Sequence, residues 1–366
     1  MKKFTLFAIA LICSEMLSAQ IPTGYYDGTD GLTGYTLKTK LKSIINNGAV
    51  DRGYDALMDA YKIGDLDKYY ENDNTILDIY SENPNGADPY NFIPGQKTCG
   101  NYTYESDCYN REHLFPQGFF NSKYPMRSDY FHIYPTDGKV NGFRNNYPFG
   151  TVGTLSNPPA TISNPTKNGS KLGTSNFPGY NGTVFEPIDE FKGDIARALL
   201  YFVTRYEDKL QTFDYNDSNN PQDGSKDRAF DQWYINLLLK WNSDDPVSQK
   251  ELDRNDYGYI YQKNRNPYVD HPEFVNKIWT STLSAQENAI LDTVILAQNP
   301  VKNGQLVVSG NSLGKISKAN VYSLTGQLLQ TVEKPFSSTN YIPLKNTQKG
   351  IYLLKLDDQV IKFIIE

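Results

Sequence analysis

Apolar residues recur at helical spacing in three stretches of the chain. Leu37, Leu41, Ile44 and Ile45 fall on one face, and Gly48 closes that helix. Ile195, Leu199, Phe202, Val203 and Tyr206 predict a second helix, with acidic residues near its start. Trp233 to Trp241 predicts a third, carrying Ile235, Leu238 and Leu239. Polar stretches lie between. Residues 81–101, rich in Asn, Gly and Pro, read as a long loop, and 155–183 as an exposed excursion. Residues 215–228 read as polar loop, and Asn264-Arg265-Asn266-Pro267 breaks the chain. Asp129 to Tyr134 reads as a strand, Pro135-Thr136-Asp137-Gly138 as a turn, and Lys139 to Asn146 as a short helix that Thr136 or Asp137 caps.

The pattern changes after about residue 285. Gln305 to Val308, Lys318 to Tyr322, Gln327 to Thr331 and Ile351 to Leu356 read as short strands punctuated by Gly304, Gly310, Gly326 and Gly350. The expected fold class is α+β: a mixed domain over 20–285, then a linker and a small all-β sandwich over 286–366. A length of 366 residues suits two domains, and 39% apolar residues suffices for packed cores.

Residues 1–19 read as a secretory signal. Lys2 and Lys3 precede an apolar run from Phe4 to Cys13 that is too short for a stable membrane span, and Leu17-Ser18-Ala19 places the cut before Gln20. Ile12 is bulky where a lipoprotein processing site wants a small residue. Once the signal is gone no run is apolar enough to cross a membrane. Cys99 and Cys108 are then the remaining cysteines, and in an exported chain one disulfide is the simplest use of them. The rival is a zinc site of Cys99, Cys108 and His113, which lacks a CxxC and a fourth ligand.

The net charge of −6 excludes coating nucleic acid by bulk charge, so any such contact rests on local patches. Residues 111–146 hold five Lys or Arg against three acids, and 254–265 three against one.

Three histidines, His113, His132 and His271, nearly exclude zinc hydrolases built on several imidazoles, and no G-x-S-x-G elbow is present. Arg111-Glu112-His113 ends an extended segment before Pro116. Asn141, Arg144 and Asn145 fall at helical spacing further on. Strand, strand and helix can bring Glu112, His113 and Asn141 together. Those types suit phosphodiester hydrolysis. A neutral imidazole activates water, and a carboxylate with an amide oxygen suits one Mg²⁺, which screens the leaving oxygen. Arg144 can grip the phosphate through two hydrogen bonds. The plain alternative is that Glu112 and His113 are ordinary polar residues ending a strand.

Arg111-Glu112-His113-Leu114-Phe115-Pro116, Asp129 with His132, and Val140-Asn141-Gly142-Phe143-Arg144-Asn145-Asn146 together resemble the bacterial endonuclease I family of secreted nucleases, DNases and ribonucleases built on a His-Me (ββα-metal) finger. Further blocks match: Phe185-Glu186-Pro187, Lys192 to Arg197, Asp245 to Ser248, and Asn264 to Glu273. The resemblance spans roughly residues 30–280. It implies His113 as general base, Glu112 and Asn141 as ligands of one Mg²⁺ (with Mn²⁺ or Ca²⁺ as alternatives), and cleavage of DNA or RNA without sequence preference to 5′-phosphates. Arg144, then Arg111, is the expected phosphate contact, and Asn145 a substrate neighbour. Relatives often carry Asn after the second His, where Ile133 stands here, so His132 is read as structural. His271, in a turn, is read as structural too, and Arg197 and Arg205 as ion-paired with Glu186 or Asp194. Asn299-Pro300-Val301, Lys349 to Lys355 and the closing Ile361 to Ile365 resemble the type A C-terminal sorting domain of the type IX secretion system. That implies export across the outer membrane to the medium or cell surface, with the secretion machinery as partner. A monomer is expected. The rival readings are a non-catalytic surface binding protein and a phosphodiesterase of small nucleotides.

Overall fold

The computed structural model describes residues 21–280, 295–310, 313–345, 348–356 and 359–365. The expected signal over 1–19, its cut before Gln20, and the start of the linker at 286 lie outside the described residues. The chain divides into two units, residues 1–280 and 281–366, each with its own apolar core.

In the first unit, α1 (Gly34–Asn46) buries Leu37, Leu41 and Ile45, as its spacing predicts. After α2 (Leu57–Gly64) the chain runs without long elements to β1 (Tyr109–His113). β1 pairs antiparallel with β2 (Ile133–Asp137), Glu112 opposite Tyr134 and His113 opposite Ile133. α3 (Gly138–Arg144) follows directly. The strand expected over Asp129–Tyr134 is therefore displaced. Asp129 accepts from the Phe131 amide and caps a 3₁₀ turn, Tyr130–His132, while the stretch expected as a turn, Pro135-Thr136-Asp137, is strand. Local side-chain capping wins over apolar content there.

The expected exposed excursion over 155–183 is also corrected. β3 (Val152–Leu155), β4 (Lys171–Ser175) and β5 (Thr183–Glu186) form an antiparallel sheet, and Ile162 and Leu172 are buried. β4 has a single large apolar residue, so its sequence carries little strand signal. Gly173 is required because a Cβ there would strike the Thr154 carbonyl.

α4 (Lys192–Arg205) is the centre of this unit. Every residue but Lys192 is buried, and it packs against α1 and α5 (Gln232–Asp244). Its charged residues are paired. Arg197 forks onto Glu251 at 2.7 Å, and Arg205 meets Asp129 at 2.8 Å. Arg197 also lies 3.7 Å from Asp194, one of the expected partners, while the other, Glu186, is held by Lys192. α6 (Gln249–Gln262) had no apolar periodicity to announce it. It buries Lys250, Glu251, Arg254 and Gln262, and a capping box of Ser248 and Glu251 opens it. α7 (Pro267–Asp270) follows, and a further helix starts at Glu273. The basic stretch expected over 254–265 is not a surface patch. Arg254 is buried on Asp65 and Arg265 on Asp256 and Asp270.

The second unit is all β. β6 (Ile295–Leu296), β7 (Gln305–Ser309), β8 (Lys318–Ser323), β9 (Leu328–Glu333), β10 (Tyr341–Pro343), β11 (Gly350–Leu356) and β12 (Gln359–Ile365) form two antiparallel sheets, in the orders β10-β7-β6 and β12-β11-β8-β9. Leu306, Val308 and Ile342 of the first sheet share one core with Val321, Leu354 and Phe363 of the second.

Candidate active site

β1 and α3 supply one side of a cleft of about 570 Å³, lined among others by Arg111, Glu112, His113, Asn141, Arg144 and Asn145. Alternation along β1 puts Asn110 and Glu112 on one face and Arg111 and His113 on the other. α3 sits on the first face. Its start is fixed by Asp137, whose carboxylate accepts from the Val140 amide at 2.9 Å and from the Ser106 amide at 2.7 Å. Gly142 lets α3 lie against Tyr102, whose hydroxyl a Cβ there would strike.

Glu112 is 2% exposed. Its Oε1 accepts from the Tyr80 hydroxyl at 2.8 Å and from Arg144 Nη1 at 3.0 Å. Burial pushes its carboxyl above the usual range, and the charge of Arg144 and the Tyr80 hydroxyl oppose that. Oε2 accepts no hydrogen bond among the described residues. Asn141 donates Nδ2 to Asn110 Oδ1 at 2.8 Å and toward the Arg111 carbonyl at 3.4 Å, which turns its amide oxygen away from both. Two hard oxygens, one from a carboxylate and one from an amide, are thus left on one cleft wall. That donor set fits a divalent cation such as Mg²⁺ or Ca²⁺.

His113 lies 3.2 Å from the Arg127 carbonyl through Nε2. A carbonyl only accepts, so Nε2 carries the proton and Nδ1 keeps its lone pair. Burial, then the neighbouring His132 imidazole, drives the His113 pKa well below its ordinary value, so the ring is neutral at physiological pH. The Tyr54 ring stacks on it at 5.8 Å. Arg111 and Arg127 both lie over Tyr54, at 3.7 and 4.5 Å from the ring centre. Arg111 also donates to the Tyr54 carbonyl and to the exposed Asp55.

Arg144, expected at the phosphate, does line the cleft, but its guanidinium is engaged by the protein. It is 2% exposed, and its guanidinium donates to Glu112, to the carbonyls of His113, Leu114 and Tyr147, and rests on Phe149. Asn145, expected on the same helical face, instead ends α3 with φ +54° and is exposed at the cleft. His132 is fully buried behind His113. Its Nε2 donates to the Met126 carbonyl at 2.7 Å, its Nδ1 has no partner, and burial pushes its pKa down to about 4. His271 caps α7, stacks on Phe274 and lies 3.2 Å from Glu273, outside the residues lining the cleft. Cys99 and Cys108 are joined in a disulfide, which removes the zinc alternative, and Cys99 lines the cleft. Tyr54, Tyr80 and Asn110 were not anticipated. The first two come from the region before β1, where no spacing ties them to the site. Asn110 was signalled by strand alternation with Glu112.

The model of the family described as Endonuclease I matches residues 33–273. The chain belongs to the endonuclease I family. This endonuclease I chain is 33% identical over 267 residues to an extracellular ribonuclease of Bacillus subtilis (strain 168), covering 70% of the chain and 78% of the relative. It is 32% identical over 260 residues to an extracellular ribonuclease of Bacillus amyloliquefaciens, with the same shares. Residues 299–366 match the secretion system C-terminal sorting domain. The endonuclease I chain is therefore a nuclease hydrolase, exported to the medium or cell surface, with nucleic acid as substrate and the secretion machinery as partner. Among the described residues no helix is long and apolar enough to cross a membrane.

Proposed function

We propose that the protein is a divalent-metal-dependent endonuclease that hydrolyses the phosphodiester backbone of RNA and DNA without reading bases. The observation that carries this reading is the shared cleft: a neutral imidazole with a free lone pair, beside two oxygens that accept nothing from the described residues. Glu112 Oε2 and Asn141 Oδ1 would hold the cation, with Mg²⁺ the first candidate. When bound, it supplies positive charge to the phosphate and to the departing oxygen.

The chain's own groups do the rest. His113 Nδ1 takes a proton from a water positioned beside it. The water oxygen bonds to phosphorus, the bond from phosphorus to the 3′ oxygen breaks, and that oxygen leaves as a hydroxyl after taking a proton from solvent water, while His113 returns its own proton to solvent. The new end is a 5′-phosphate. The Arg127 carbonyl and the Tyr54 ring hold the imidazole in the required tautomer and orientation. Arg111, at the cleft, is the phosphate contact, while Arg144 positions Glu112. No 2′-hydroxyl takes part in these steps, so both nucleic acids qualify. The fit to extracellular ribonucleases puts RNA first. In this reading the tail is of the type A sorting class of type IX secretion, and the protein acts as a monomer.

Degradation of RNA and nicking of plasmid DNA, with and without EDTA, test this reading. Cleavage of both, lost in EDTA and in His113→Ala, is expected. Binding without cleavage would favour a surface binding protein, and turnover of dinucleotides alone a small-nucleotide phosphodiesterase.

A further inference from the structure

Away from the catalytic cleft, the irregular chain between α2 and β1 gathers Asp67, Glu71 and Glu82, each offering an oxygen within 4.8 Å of the others. Acidic clusters alone are common on surfaces, and what sets this one apart is Glu82. It is 1% exposed, and both carboxylate oxygens are shielded from solvent without a hydrogen-bond partner among the described residues. Glu71 Oε2 is shielded and unpartnered as well. None of the three forms an ion pair with Lys or Arg among the described residues. A buried carboxylate without a partner is among the costliest groups a fold can hold.

Asp67 differs. It accepts from the amides of Tyr69, Tyr70 and Asn72, so its carboxylate is held in a fixed place by the loop around it. One preorganised carboxylate and two others with spare oxygens form a half-built cage of hard ligands. No nitrogen or sulfur ligand contributes, which disfavours zinc and copper. The ligands come from an irregular loop, which suits the adaptable shell of Ca²⁺ better than the strict octahedron of Mg²⁺.

We propose that Asp67, Glu71 and Glu82 form a second, non-catalytic Ca²⁺ site. Glu82 supplies the buried anchor, Asp67 the fixed oxygen, Glu71 the closing ligand, and waters complete the shell. The site has a mechanical link to the catalytic cleft. Asp78 starts the turn that carries Glu82, whose amide donates to the Asp78 carbonyl at 2.9 Å. The same turn delivers Tyr80, whose hydroxyl fixes Glu112. Calcium would therefore hold the segment that orients a catalytic carboxylate, without touching substrate.

The test uses the full mature chain carrying Glu112→Gln, which silences the catalytic metal site. Calorimetric titration with CaCl₂ should show one site per chain, and Ca²⁺ at about a hundredfold over its dissociation constant should raise the unfolding midpoint by about 5 °C. Adding Glu82→Gln should abolish the heat and the shift. Glu71→Gln, at a less buried position, should weaken Ca²⁺ binding at least tenfold and decides the matter if the Glu82 variant fails to fold. Absence of a Ca²⁺ response in the Glu112→Gln chain, or an undiminished response after Glu82→Gln or Glu71→Gln, overturns the proposal.

Discussion

Replacing Arg144 by Met keeps much of the volume and removes the charge. Glu112 would then keep only the Tyr80 hydroxyl as a partner, and the carbonyls of His113, Leu114 and Tyr147 would lose their donor. Both members of the Arg144–Glu112 pair are 2% exposed. Breaking a buried ion pair by removing one partner costs about 3–5 kcal/mol. In a unit of this size that lowers the unfolding midpoint by roughly 6–15 °C. Losing the guanidinium also lets burial push Glu112 further up, so cation-dependent activity should need higher pH. Thermal unfolding in EDTA without substrate reads the first effect, and the rate against pH reads the second. Glu112→Gln combined with Arg144→Met should cost less than the two single changes together, by more than about 1 kcal/mol. If Arg144→Met unfolds like the parent and only raises KM, the guanidinium faces the phosphate and its placement beneath Glu112 is wrong.

Other outcomes are expected. His113→Ala should lower the turnover of RNA by about 10²-fold or more with little change in KM; a parental rate would remove His113 as the base. Because burial lowers the His132 pKa to about 4, the unfolded chain binds more protons below 6.5, and stability falls as pH drops from there. The stability difference between parent and His132→Gln should thus narrow by roughly 3 kcal/mol between neutral pH and about pH 4, read by urea denaturation; a constant difference contradicts this. Opening the disulfide with Cys99→Ser and Cys108→Ser, nine residues apart, should cost about 2–3 kcal/mol. A chain ending at Thr280 should keep the parental rate on RNA, since the cores of the two units are separate; loss of activity in a folded truncation would tie the tail to catalysis.

Much of the site was legible because it is local. Arg111 to His113 is one strand, and Asn141 stands four residues into one short helix. The types of side chain announced the chemistry, and several ordered blocks announced the family. The inward hydrogen bonds of Arg144 were not legible for a physical reason: helical spacing gives a face, not a depth, and α3 is too short to expose one side cleanly. The turn before β2 was misread because Asp129 accepts hydrogen bonds from Phe131, Tyr201, Tyr206 and Gln262, partners up to 133 residues away. α6 escaped because its buried face is polar, so charge pairing rather than oil holds it. Tyr54 and Tyr80 reach the site through tertiary packing alone, which no periodicity reports.

The Cys99–Cys108 bond gives the site a dependence on where the protein is. Cys99 and its neighbours Thr98 and Gly100 form part of the cleft wall, and Cys108 immediately precedes β1. That staple closes only where thiols oxidise, beyond the reducing interior of the cell. A chain still awaiting export carries this flank unfastened, so the finishing of the cutting groove coincides with departure from the compartment that holds the cell's own nucleic acid.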